Sequence, residues 1–228
     1  MELASKRFLN INKGLRAFIF TYLFFVVIGL FILVKIDHGD VVLWLNGISK
    51  EKWDAFVNLL TDVGLGSFVA VLMVLLSSLQ IRYAIMGLIN LGLVGLFTNL
   101  FKKFLFPERI RPFNYFLYDD FPRFIHAAEL NYHSSFPSGH TMTIFAAMGL
   151  ISYFIGKRTW GVVLFFAALI IGFTRIYLLQ HFFLDVYVGS LLGVLSTLIT
   201  IWLFDGVWAL NKRSLFQKPI YKITFRKP

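Results

Sequence analysis

Cysteine is absent from the chain. That excludes a disulfide framework, a thiolate nucleophile and a zinc–thiolate site. Charge is scarce too: only 15% of the 228 residues are Asp, Glu, Lys or Arg, where a soluble domain carries about a quarter. Acidic residues are the rarer kind, 12 against 22 basic ones. No internal repeat, low-complexity tract or linker-like composition shift interrupts the chain, so a single domain over 1–228 is the simplest organisation. What is present in quantity is apolar: 58% hydrophobic residues, 18% aromatic, and a mean hydropathy of +0.74. This composition predicts an all-α integral membrane protein.

A helix needs roughly 20 mostly apolar residues to cross the hydrocarbon core. Six segments meet that requirement: 17–34, 55–79 with Asp62 near its start, 83–101, 138–155, 160–179 with Arg175 near its end, and 182–204. Between the third and fourth lies a long polar stretch, 102–137, and 40–52 has the tryptophan-and-charge pattern of an interfacial helix. The basic N-terminal sequence runs into the first segment without a small-residue cleavage site, so that span is expected to be retained.

Six spans put both termini on one side. Thirteen lysines and arginines fall there and nine on the other, while ten of the twelve acidic residues fall opposite the termini. The lysine and arginine bias places both termini in the cytoplasm and the chain in the plasma (inner) membrane. The net charge of +10 is then a topology signal with some attraction to anionic lipid, and nucleic acid is not an expected partner. All five histidines, His38, His126, His133, His140 and His181, fall on the outer side, which is where chemistry is expected.

Three polar pieces reach that outer surface: "KKFLFPERIRPF" after the third span, "FPSGH" at the start of the fourth, and "TRIYLLQHFFLD" between the fifth and sixth. Arg111, Arg175 and a lysine of the 102–103 pair are cations, and arginine forks match phosphate oxygens in two-point geometry. Ser138 is a natural N-cap and Gly139 permits close backbone approach, so the helix start between them suits an anion. His181 and Asp185 are four apart and can meet on one helix face. A carboxylate holding one imidazole nitrogen leaves the other as a nucleophile, and His140 then remains as an acid for a leaving oxygen. Singly, each piece has a plain reading: an Arg-Pro helix stop, a simple cap, an interfacial histidine. An arginine inside an apolar span is different, because intramembrane charge is costly and points to function.

Taken together, R-P, P-S-G-H and T-R-x5-H-x3-D resemble the three-part motif of the type 2 phosphatidic acid phosphatase superfamily, over about 102–185. That superfamily includes membrane lipid phosphatases, soluble bacterial acid phosphatases and vanadium haloperoxidases. The resemblance implies that Arg111, Ser138, Gly139 and Arg175 hold a phosphate. It implies further that His181 attacks phosphorus to form a phosphohistidine, Asp185 orients it and His140 protonates the leaving group. It implies neither metal nor cofactor. Two positions depart from the pattern. The family's K-x6-R-P spacing selects Phe104, so Lys103, at K-x7-R-P, requires a one-residue bulge or another rotamer to hold phosphate, with Lys102 as the alternative. Thr174 stands where serine is more common.

The implied substrate is a lipid phosphate: undecaprenyl pyrophosphate, phosphatidylglycerophosphate, phosphatidic acid or the 1-phosphate of lipid A. An outward-facing site favours polyprenyl pyrophosphate or another envelope lipid phosphate. The competing class is a lipid transporter or flippase built on an Arg175–Asp185 pair. Against it, no inverted repeat is visible and the polar residues gather at one surface instead of the midplane.

Overall fold

A computed structural model describes residues 11–117, 123 and 133–222. The basic residues Lys6 and Arg7, His126, residues 118–122 and 124–132 of the polar stretch after the third span, and the last six residues lie outside the described residues. Those described are helical, without a strand among them. In chain order the helices are α1 (Lys13–Lys35), α2 (Asp40–Ile48), α3 (Glu51–Asp62), α4 (Gly66–Leu76), α5 (Ile81–Asn99), the short α6 (Pro112–Tyr115), α7 (Gly139–Ile155), α8 (Arg158–Tyr177) and α9 (Phe183–Ile201). Helix α5 runs on as a π-helical turn, Leu100–Leu105, and α9 as another, Trp202–Val207. Segment 40–52 is partly helical as expected, as α2.

Among the described residues four helices are long and apolar enough to cross a membrane: α1, α5 with its π-turn, α8, and α9 with its π-turn. Helix α7 is apolar but has 17 residues. The second expected span, 55–79, is not one helix. It breaks at Val63–Leu65 into α3 and α4, which meet at 53°. The cause is local. Turn bonds close from Gly64 N–H to Thr61 O and from Leu65 N–H to Asp62 O, and Leu65 adopts an extended conformation that starts α4 afresh. Gly64 also lies flush against the start of α7, where a β-carbon would stand 3.3 Å from both His140 Cβ and its carbonyl oxygen. The bend therefore brings bare backbone to the residue that the sequence singled out.

Helix α7 is the centre of the bundle, packed against both α8 and α9, with α1 lying against α7 and α8 together. Water-driven burial cannot hold helices together inside lipid, so close packing of small residues has to. At Gly189 on α9 an added β-carbon would lie 2.7 Å from Ser138 O, and at Gly193 2.5 Å from Met142 O. These two glycines let α9 lie against the first turns of α7, which brings Asp185 beside Ser138. Interlocked rings fill the next layer: Phe18, Tyr22 and Phe25 of α1 pack on Phe145 and Phe165 at centroid distances of 5.8–6.5 Å. On the other side of α1, Phe20, Val27, Phe31 and Val34 are exposed, as lipid-facing positions are.

Candidate active site

Backbone bonds stitch the three polar pieces together. Ser135 N–H donates to Arg109 O, Phe113 N–H to Leu179 O, and Ser138 N–H to Asp185 O, at 3.0, 3.4 and 3.0 Å. The turn after α8 is tight. Gln180 and His181 N–H both donate to Arg175 O, and Leu179 takes a left-handed conformation, φ 58°, that non-glycine residues adopt at some cost. This reverses the chain and leaves His181 1% exposed.

His181 and Asp185 meet, but not on one helix face as their spacing suggested. Helix α9 begins at Phe183, so His181 precedes it and Asp185 sits in its first turn. Asp185 Oδ2 accepts from Phe182 N–H at 2.9 Å, and His181 Nδ1 lies 3.4 Å from the same oxygen. Ser135 Oγ also donates to that oxygen at 2.5 Å and stands 3.4 Å from His181 Nδ1. The carboxylate is thus fixed by a hydroxyl and an amide, and it stands beside Nδ1, the ring nitrogen it can orient. Burial pushes His181 well below the usual imidazole range, and the positive charges of Arg111, Lys102 and Arg175 push it further. Both influences favour the neutral ring.

Arg111 donates from Nε to His133 O at 3.0 Å, and from Nη1 to Gln180 Oε1 at 2.7 Å and Gln180 O at 3.3 Å. Arg175 Nη1 donates to Thr61 Oγ1 at 2.9 Å. Both guanidiniums are buried. Lys103 is exposed, whereas Lys102 is partly buried and its charge bears on His181. The bulge that the spacing demanded exists as the π-turn Leu100–Leu105, but the wider turn carries Lys102, not Lys103, toward the site.

Ser138 caps α7, its Oγ accepting from Thr141 Oγ1 at 2.9 Å and Thr141 N–H at 3.4 Å. Gly139 and His140 form the first turn, where N–H groups point out of the helix. They also line a groove of about 370 Å³, shared with Gly64 and Gly66 at the bend and with Leu91, Val94, Gly95 and Thr98 of α5. Thr174 takes no part; its hydroxyl donates to Ile171 O within its own helix. Among the described residues no group of three or more His, Asp or Glu side chains could hold a metal.

Sequence reasoning missed Thr61, Ser135 and Gln180. Each bonds a side chain singled out by the sequence, though none occupies a fixed position of the motif pattern. Ser135, inside the polar run before α7, and Gln180, directly before His181 in the third piece, were flagged by their neighbourhood; Thr61 was not.

A buried imidazole–carboxylate pair ringed by three cations, at the ends of apolar helices, defines a membrane-embedded, helical, anion-handling site. The chain belongs to the PAP2 superfamily, whose model matches residues 83–209, and it is a multi-pass membrane protein. Phosphatidylglycerophosphatase B of Bacillus subtilis strain 168 is 28% identical over 166 residues, covering 67% of this chain and 71% of that protein. Bacitracin transport permease protein BcrC of Bacillus licheniformis is 46% identical, but over 70 residues, 30% of this chain and 33% of that one. The crystal structure of Aquifex aeolicus LpxE superposes with a TM-score of 0.61 at 25% identity, covering 72% of this chain and 94% of that one. That of a PAP2-type phosphatidylglycerolphosphate phosphatase from Bacillus subtilis gives 0.57 at 25% identity, over 86% and 98%.

Proposed function

We propose that this protein is a metal-independent lipid phosphatase, working at the outer face of the plasma membrane through a phosphohistidine. The observation that carries the reading is His181, held at Nδ1 by Asp185 and neutral amid Lys102, Arg111 and Arg175. In the first step Nε2 forms a bond to phosphorus while the bond from phosphorus to the leaving oxygen breaks, the lipid oxygen of a monophosphate or the bridging oxygen of a pyrophosphate, and His140 gives that oxygen its proton. In the second, water attacks the phosphohistidine, His140 takes back a proton, and inorganic phosphate leaves with His181 regenerated. The three cations and the N-terminus of α7 at Ser138 and Gly139 stabilise the oxygens throughout. The outward orientation rests on the lysine and arginine bias.

The lysine assignment separates cleanly. Lys102→Ala is expected to raise KM for a phosphate ester about tenfold, the scale of one charge-assisted contact, while Lys103→Ala stays near wild type. Equal effects from the two would contradict the register of the π-turn.

For the substrate, we favour polyprenyl pyrophosphate or another envelope lipid phosphate. The groove beside His140 has apolar walls from α5 and supports a lipid chain leaving the site there. Longer chains should then bind more tightly, by about 0.8 kcal/mol per buried methylene until the groove is filled. The test compares kcat/KM for long-chain and short-chain versions of each lipid phosphate headgroup in identical micelles. Gly95→Phe provides the control, since a side chain at Gly95 meets nothing within 4 Å and would project into the groove. It is expected to remove the chain-length preference without slowing a soluble aryl phosphate. Equal efficiencies for both chain lengths in the wild type would make a water-soluble ester the leading substrate.

A further inference from the structure

Arg175 is 7% exposed, and its Nε is buried without a partner among the described residues. Its Nη1 is committed to Thr61 Oγ1 at 2.9 Å, and Thr61 is itself 3% exposed. Thr61 belongs to the last turn of α3, immediately before the 53° bend. It lies outside all three motif pieces and outside the 83–209 match. A guanidinium is a rigid plane, so anchoring one Nη sets where the remaining donors point. A second contact fixes the same helix pair: Tyr177 OH, two residues beyond Arg175, donates to Asp54 Oδ1 at 2.8 Å. Asp54 precedes Thr61 by two helical turns, so α3 docks on the end of α8 along one face.

We propose that Thr61 is a positioning residue that aims the Arg175 fork, so that its unpartnered Nε edge meets the phosphate oxygens. The assignment rests on the phosphatase reading above. An unanchored arginine on a flexible stem would have to be ordered by the substrate itself, and that ordering cost would weaken every phosphate-like ligand. The α3–α4 bend then has a role in catalysis, since it sets the end of α3 at the depth of Arg175 while Gly64 passes His140. The bland alternative is that Thr61 merely fills space and satisfies a buried donor.

Two near-isosteric variants separate these. Thr61→Val keeps the shape and loses the hydroxyl; Thr61→Ser keeps the hydroxyl and loses a methyl. With purified protein and p-nitrophenyl phosphate, Thr61→Val is expected to raise KM and the vanadate inhibition constant about tenfold, and Thr61→Ser to stay within about twofold of wild type. Thr61→Ala, which leaves room instead of misfit, should reproduce the valine effect and decides the matter if the valine protein does not accumulate. A purely structural role predicts something else: kcat falls with the active fraction while the vanadate constant stays put, or serine is as damaging as valine. Either pattern overturns the proposal, as do wild-type kinetics in the valine or alanine variant. Wild-type turnover with no variant effect sinks the Thr61 assignment alone. A wild-type protein that releases no phosphate from any ester overturns the phosphatase reading and this assignment with it.

Discussion

Replacing His181 with alanine is expected to abolish turnover, by roughly 10⁴-fold or more, because the mechanism gives the covalent bond to this imidazole alone. The protein should still fold. Asp185 keeps its bonds from Ser135 Oγ and Phe182 N–H, and the glycine contacts that seat α9 on α7 do not involve the imidazole. The charge state of His181 sets a pH signature. Its protonation is pushed well below the usual range by burial, then by Arg111, Lys102 and Arg175. The attacking, neutral form therefore persists as pH falls through the ordinary imidazole value of about 6.5 and is lost only below it. A kcat/KM profile for the free enzyme should show the acid limb of this group below pH 6.5. An acid limb at or above that value, moved further up in Arg111→Ala, would mean that His181 carries charge in the resting site.

His140→Ala is the second large effect, and its size should depend on the leaving group. An acid contributes about 10²- to 10⁴-fold when the departing oxygen is strongly basic. Loss on that scale is expected for a lipid monophosphate, whose leaving group is an alkoxide, and less than about tenfold for an activated aryl phosphate. To donate, His140 must carry a proton, and the mechanism gives it the bound phosphate as its negative partner. The packing of Gly64 against the His140 backbone and Cβ survives in alanine, so a folding defect would not mimic the pattern. Equal losses for both substrate types would remove His140 from the acid role.

Much of this was legible in the sequence because membrane burial and phosphate chemistry both leave local marks. Apolar runs of span length located the helices, and Ser138 was recognisable as a cap before Oγ was seen to accept from Thr141. His181, Asp185 and Arg175 stood out because such residues are costly near lipid. What was not legible depends on contacts between distant segments. The break of 55–79 into α3 and α4 leaves only Gly64 and Gly66 as a trace, and the neighbour that Gly64 passes, His140, is 76 residues further on. The choice of Lys102 over Lys103 turns on a π-helical turn, which one odd residue of spacing hints at but does not resolve. The placing of His181 before α9, instead of on it, depends on the left-handed Leu179, a conformation that leucine seldom signals. Thr61 and Gln180 grip Arg175 and Arg111 from 114 and 69 residues away, and no pattern within a short window could pair them.

The central claim is that phosphate passes through a covalent bond to His181, and rapid quenching tests it most directly. Purified protein would be mixed with a lipid phosphate labelled at phosphorus, in excess EDTA, stopped in alkali within the first turnover, digested and mapped by mass spectrometry. The expected result is an alkali-stable, acid-labile phosphate on the peptide carrying His181, formed without metal and absent from His181→Ala. Phosphate release with no labelled peptide at any quench time, or label on a different residue, would contradict the mechanism. So would turnover that stops when the chelator is added.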